Sequence, residues 1–267
     1  MTAAQIAVIG GTGFYSFIGD PEEHRISTPY GEPSAPVSVG TVAGRRVAFL
    51  PRHGSHHDFP PHGINYRANL WALRSLGVRQ VLAPCAVGGL RPREQDGVAP
   101  GDVVVPDQLV DRTHRRIGSY VEQGAVHLPF GDPYCARLTD AIAAVDSSIR
   151  IGSTMVVIEG PRFSTRAESR HYAEQGWNLI NMTAMPEAAL AREMRMCYAS
   201  IALVTDMDAG AASGEGVSQE EVFALFRNNL ERLTGLLTET IAGVPDPTGC
   251  ACSSWADGID LTYDVPG

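Results

Sequence analysis

The sequence predicts a single α/β domain with helices on both faces of a central sheet. Three observations carry this. Short β-branched runs alternate with longer helical patterns, several runs are apolar on successive residues, and 267 residues suffice for one large core. Strands are predicted at Gln5–Ile9, Arg46–Leu50, Gln80–Pro84, Asp102–Val105, Thr154–Ile158, Asn178–Asn181 and Ser200–Thr205. Helices follow from apolar spacing. Tyr66, Leu70 and Leu73 share a face of Asn65–Leu76, and Pro186 opens Pro186–Met196. Val222, Leu225, Phe226, Leu233, Leu236, Leu237 and Ile241 form a stripe along Val217–Ile241, where Ser218 and Glu221 have the spacing of a capping box. His53–Gly63 and Ile117–Pro133 read as long loops, of the size that often carries function. The domain is predicted to span residues 1–244, and residues 245–267 to form a loosely packed or partner-docked tail.

With 21 Lys+Arg against 30 Asp+Glu, the formal charge is −9. That balance argues against a nucleic-acid binder with a broad basic face, yet allows a small anionic ligand held by a few fixed donors. There is neither an 18-residue apolar run nor an export-type N-terminus, so no membrane role is expected and a cytoplasmic location is. Five cysteines, an odd number, speak against a disulfide scaffold.

The first strand runs into Gly10-Gly11-Thr12-Gly13, where backbone N–H groups and the Thr12 hydroxyl can meet an anion, or where the chain simply turns. Ser16 stands where a dinucleotide fingerprint wants its third glycine, and a P-loop lysine is absent. Arg52 offers a phosphate-matching fork beside His53. The nearby His56, His57 and His62 lack the spacing of a zinc site, and no metal is expected there. Phe163 and Ser164 at a strand end could stack on a planar base and bond its edge, and Thr183 follows another strand end. Asp206 and Asp208, two apart on an extended chain, would aim both carboxyls one way and raise each other's pKa, so one could donate a proton while the other accepts a hydrogen bond.

In order along the chain stand GGTGF, RHG, NYRANLWAL, GDVVVPDQLVDRT, TMVVIEGPRFSTRAES, NMTAMPEAALARE and CYASIALVTDMD. Together they resemble the methylthioadenosine phosphorylase branch of the trimeric purine nucleoside phosphorylases, over roughly residues 5–242. The resemblance implies an α/β domain with a mixed, distorted central sheet flanked by helices, and a homotrimer with active sites near subunit interfaces. It implies phosphorolysis of a 6-aminopurine nucleoside, methylthioadenosine first and adenosine or, less readily, inosine as the alternative, with inorganic phosphate as co-substrate and no cofactor or metal. Thr12, Arg52, His53, Ala86 and Thr183 would bind phosphate, with Cys85 where relatives place a threonine. Met182 and His57 would lie near the ribose, and Phe163 and Ser164 would line the base pocket. Asp206 would protonate N7 and Asp208 accept from the exocyclic amine. His127 would reach a neighbouring subunit's 5′ pocket. Gln219, where relatives carry a small apolar residue, would make that pocket more polar beside Val222. The Cys250-Ala251-Cys252 ending is similar to Cys-x-Cys endings in some members, as free thiols or as a bridge.

Overall fold

The computed structural model describes residues 3–210 and 218–267. Its strands are β1 (Ile6–Gly10), β2 (Glu22–His24), β3 (Val37–Val42), β4 (Arg45–Pro51), β5 (Gln80–Gly89), β6 (Val103–Val105), β7 (Gln108–Arg112), β8 (Arg150–Ile151), β9 (Thr154–Ile158), β10 (Leu179–Asn181) and β11 (Cys197–Met207). The helices are α1 (Tyr66–Ser75), α2 (Ala136–Ala143), α3 (Arg166–Glu174), α4 (Ala184–Glu193), α5 (Gln219–Asn228), α6 (Leu230–Gly243) and α7 (Ala251–Ser254).

All of these strands join one mixed sheet, in which β2-β3-β4-β1-β5-β10-β9-β7 form a continuous path. The sheet forks at β5. Along one edge β5 pairs first with β1 in parallel, through Gln80–Leu82, and then with β10 antiparallel, at Gly88 and Gly89. Along its other edge it runs parallel to β11 from Gln80 to Gly89, and β11 passes the sheet on to β6 and β8. The fork and a register shift between Val204 and Asp206 are the distortion.

Alternation along β1 divides the core. Ile6 and Val8 pack with Leu138, Phe226, Leu233 and Leu237 on one face. Ala7 and Ile9 pack with Leu70, Leu73, Leu190 and Met194 on the other. Both faces are therefore covered by helices, which is why β1 and the first nine residues of β11 are buried throughout.

Each predicted strand is present, but β5 runs on from Pro84 to Gly89 and β11 from Thr205 to Met207, as far as the cavity described below. The edge strands β2 and β7, the inner strand β3, the short β8, and helices α2, α3 and α7 are additional to the sequence reading. The long C-terminal helix is two helices, α5 and α6, meeting at Asn229, whose side chain bonds back to Leu225 O and whose backbone has left helical geometry (φ −105°). Val217, the predicted start, lies outside the described residues. Ser218 accepts from Glu221 N at 3.5 Å, one half of the capping box. The complete box is at Thr165 and Glu168 on α3.

Residues 245–267, read from sequence as loosely packed, are anchored to the chain's own body. Trp255 donates to Arg192 O, Arg195 bonds Ser253 O and pairs with Asp257, Tyr263 donates to Glu193 O, and Arg74 and Arg79 both reach Gly267 O. The anchors are arginine–carbonyl bonds, an ion pair, an indole N–H and a tyrosine hydroxyl, which leave no periodic pattern in a sequence.

Candidate active site

A cavity of about 400 Å³ opens at the C-terminal ends of β1, β4, β5, β9, β10 and β11, roofed on one side by the start of α5. This is where an open α/β sheet places its ligands. Thr12, Arg52, His53, His57, Cys85, Ala86, Phe163, Met182, Thr183, Asp206, Asp208, Gln219 and Val222 all line it. The structure thus brings together residues separated by two hundred positions.

At the floor, Arg52 is almost wholly buried. Its Nε and Nη2 donate to Glu187 Oε2 and Oε1 at 2.6 and 2.8 Å, and Nη2 also reaches Ile9 O. Burial opposes the guanidinium charge, and the Glu187 carboxylate outweighs it, so the arginine stays charged. Nη1 makes only a long 3.5 Å contact to Pro84 O and retains donor capacity toward the cavity. Gly11 is required beside it, because a Cβ there would come within 2.9 Å of Nη1 and 2.8 Å of Pro84 O. Tyr198 donates to Glu187 Oε1, so the carboxylate is fixed from two sides.

Thr183 stands at the N-cap position of α4, its side chain making no capping bond, and is positioned by Asn181, whose Oδ1 accepts from the backbone N–H groups of Thr183 and Ala184 while its Nδ2 donates to Ala86 O. One side chain therefore ties two predicted anion donors together at a helix start, where backbone N–H groups favour negative charge. Cys85 Sγ lies 3.3 Å from Ser200 Oγ, and burial pushes its thiol pKa up, so it is a neutral, weak donor.

His53 Nδ1 lies 2.9 Å from Phe59 O, and a carbonyl can only accept, so Nδ1 carries the proton and Nε2 is the ring's acceptor. Burial pushes its pKa down to about 3, which keeps it neutral. His57 stacks on it with centroids 4.5 Å apart, in the left-handed region at φ +61°. Its Nδ1 meets Tyr15 Oη at 3.1 Å and its ring edges onto Phe223, so it links the glycine turn, the loop after β4 and α5.

At the opposite end, Asp206 and Asp208 flank Gly88, where an added Cβ would stand 3.1 Å from both Asp206 Oδ1 and Asp208 Cβ. Desolvation raises the Asp206 pKa to about 6. Thr205, donating at 2.8 Å, works against this, and the charges of Asp208 and Glu221 add to it. Asp208 is also raised by burial, while a short hydrogen bond from the Ser169 hydroxyl favours its ionised form. Burial therefore pushes both acids toward holding a proton, Asp206 to about 6, and a neighbouring hydroxyl opposes this at each.

Two predicted residues are not in the cavity lining. Ser164 is turned inward beside Asp208, where its hydroxyl works with that of Ser169 against the rise in the Asp208 pKa. His127 is exposed in the loop between β7 and α2, outside this chain's cavity. Glu187, Asn181, Ser169 and Tyr15 were not singled out from sequence. Glu187 and Asn181 belong to the NMTAMPE stretch and Ser169 to RFSTRAES, so the signal was the motif context and not the residue.

Residues 5–242 match the family model of the phosphorylase superfamily. The chain belongs to that superfamily. This phosphorylase is 53% identical to the purine nucleoside phosphorylase of Streptomyces coelicolor, covering 98% of each chain. It is equally 53% identical to the S-methyl-5′-thioadenosine phosphorylase of Mycolicibacterium smegmatis, covering 98% of this chain and 99% of that one. Among solved structures it is similar to a methylthioadenosine phosphorylase from an antarctic soil metagenomic library (TM-score 0.86, 36% identity, 95% and 91% coverage). It is also similar to the methylthioadenosine phosphorylase of Schistosoma mansoni in complex with adenine (TM-score 0.85, 35% identity, 92% and 94% coverage). The chain is an enzyme of the pentosyltransferase kind, with the mixed α/β fold of its structural neighbours. None of its helices, among the described residues, is long and apolar enough to cross a membrane.

Proposed function

We propose that the enzyme cleaves 5′-methylthioadenosine with inorganic phosphate, giving adenine and 5-methylthioribose 1-phosphate. The observation that supports this most is the pairing, across one cavity, of a buried arginine floor with two desolvated carboxyls, Asp206 and Asp208, both pushed toward holding a proton and Asp206 as far as about 6. Thr12, Arg52, the Ala86 backbone N–H and Thr183 would donate to phosphate, with Cys85 a weak contributor. The neutral His53 would accept from the P–OH of hydrogen phosphate.

A phosphate oxygen attacks the anomeric carbon as the glycosidic electron pair leaves to the purine. The phosphate dianion stabilises the oxocarbenium character of the sugar, and Asp206, protonated, gives its proton to N7 as negative charge gathers on the base. Ionised Asp208, held by Ser169, accepts from the exocyclic amine, which selects 6-amino over 6-oxo purines. Phe163 would pack on the base, with Ser164 behind it, and Met182 and His57 would lie along the ribose. These groups supply the donors and acceptors the reaction needs, so no cofactor or metal enters the proposed chemistry. Partners are the nucleoside and phosphate, with no nucleic acid, and a cytoplasmic setting suits small-molecule salvage. A homotrimer, in which the exposed His127 serves a neighbour's 5′ pocket, belongs to the same proposal.

Adenosine is the second reading, favoured by Gln219, which lines the cavity beside Val222 and Phe223 at the first position of α5. A phosphate-dependent release assay with methylthioadenosine, adenosine and inosine tests both. Methylthioadenosine is expected to be the best substrate, a higher rate with adenosine would favour the second reading, and no cleavage of any would overturn the enzymatic role. Gln219→Val is expected to raise the ratio of methylthioadenosine to adenosine turnover.

A further inference from the structure

Four of the five cysteines, drawn from three distant parts of the chain, meet outside the cavity. Cys135 is the residue before α2, Cys197 opens β11, and Cys250 and Cys252 flank Ala251 at α7. Their four sulfur atoms all lie within 4.8 Å of one another, with 3.7 Å between those of Cys135 and Cys250. Cys135, Cys197 and Cys252 are buried and Cys250 is half-buried, and all are free thiols.

We propose that Cys135, Cys197, Cys250 and Cys252 form a tetrathiolate site for a thiophilic divalent cation, zinc above all. A tetrahedral ion with metal–sulfur bonds of about 2.3 Å sets its sulfurs about 3.8 Å apart, so small side-chain movements bring this cluster to that geometry. A disulfide needs its sulfurs at about 2 Å and satisfies them in pairs. Here four sulfurs converge mutually, the arrangement a central ion requires.

The surroundings match the charge of such a centre. Four thiolates around a divalent ion leave a surplus of negative charge that needs compensation nearby. Arg137 supplies it, with Nη2 at 3.3 Å from Cys197 Sγ. That guanidinium is itself fixed by Gln80 Oε1 at 2.8 Å and Pro245 O at 2.6 Å. Cys135 also sits at the N-terminus of α2, whose free N–H groups favour a thiolate.

With four protein ligands the site is closed, hence structural and not catalytic. Cys197 and Asp206 lie nine residues apart on β11, which at about 3.3 Å per residue is roughly 30 Å. The ion would therefore clamp the C-terminal segment and the start of α2 to the end of the strand remote from the chemistry.

The experiment is elemental analysis of the full-length chain, produced in zinc-supplemented cells and purified with reductant, without a chelator or metal-affinity column. Cobalt(II) reconstitution of the chelator-stripped protein accompanies it. About one equivalent of zinc per chain is expected, with cobalt giving thiolate-to-metal charge transfer in the near ultraviolet and intense tetrahedral bands in the visible. Cys250→Ser, at the half-buried ligand, and Cys252→Ser should each weaken or abolish those bands. Wild-type protein that holds zinc only at background and shows no charge transfer overturns the proposal. So does protein isolated with these cysteines joined as disulfides, or bands that survive both substitutions. Because the readout is metal content and spectrum, the result is independent of which nucleoside the enzyme cleaves.

Discussion

Arg52 presents its Nε and Nη2 edge to Glu187 in a two-pronged pair at 2.6 and 2.8 Å, with both side chains essentially out of reach of water. The pair turns the guanidinium and fixes its charge, leaving Nη1 toward the cavity. Truncating one member of such a pair leaves the other charge buried alone, at a cost of about 3–5 kcal/mol. Glu187→Gln keeps one oxygen and the shape. It is expected to lower the melting temperature by several degrees and to raise the KM for phosphate at least tenfold, with a smaller effect on the nucleoside KM. An unchanged phosphate KM would remove Arg52 from the anion site.

Asp206 controls the pH response. Its folded pKa of about 6 exceeds the ordinary 3.8, so the folded protein favours the protonated acid. For catalysis, kcat/KM for a 6-aminopurine nucleoside should fall as pH rises through about 6 in the free enzyme. Glu221→Gln, which removes a charge that raises this pKa, should move the inflection to lower pH. For stability, the raised pKa means its contribution is complete below pH 3.8 and lost as pH rises through about 6. Asp206→Asn should therefore stabilise the fold at neutral pH, by up to about 3 kcal/mol, while lowering kcat by about 10²–10⁴. Chemical denaturation at pH 4 and pH 8 checks the sign.

Ser169 does not line the cavity, yet its hydroxyl bonds Asp208. Ser169→Ala removes the contact that favours ionised Asp208, so the Asp208 pKa should rise. The expected result is a loss of preference for adenosine over inosine of roughly tenfold, worth about 1.4 kcal/mol. It should be greatest at low pH, where Asp208 protonates first. A preference unchanged between pH 5 and 8 would show that Asp208 does not read the exocyclic amine.

Cys85 places a weak donor where the cavity meets the phosphate side, facing Ser200. Cys85→Thr supplies a hydroxyl of similar reach, and one added neutral hydrogen bond is worth about 1 kcal/mol. The KM for phosphate should drop about fivefold, as measured by initial rates at saturating nucleoside.

The elements that position the site were legible where packing imposes a pattern. The apolar runs of β1, β5 and β11 mark strands covered on both faces, and the ligand side chains stand at their C-terminal ends. What escaped is governed by contacts far apart in sequence. β2 and β7 lie at the edges of the sheet and carry polar residues, so they lack the buried signature. The break at Asn229 rests on one side chain bonding back to Leu225 O, inside an unbroken apolar stripe. Glu187 reads as an ordinary helix residue until Arg52, 135 positions away, is seen to need it. His53 stands out in the sequence only as a phosphate-binding neighbour of Arg52, and its contact with Phe59 O is what makes its free ring nitrogen an acceptor.

The slip in pairing between Val204 and Asp206 has a further meaning for anyone who would transplant this chemistry. At that point β11 spends one more residue than β5, and the surplus, Thr205, bonds both Val87 O and Asp206. The two acids consequently come together beside Gly88 by virtue of the path of the main chain as much as by their identity. Grafting the Asp-Met-Asp tripeptide onto a regular parallel sheet would copy the letters and lose the alignment. The irregular residue before it is the part that has to travel with the graft.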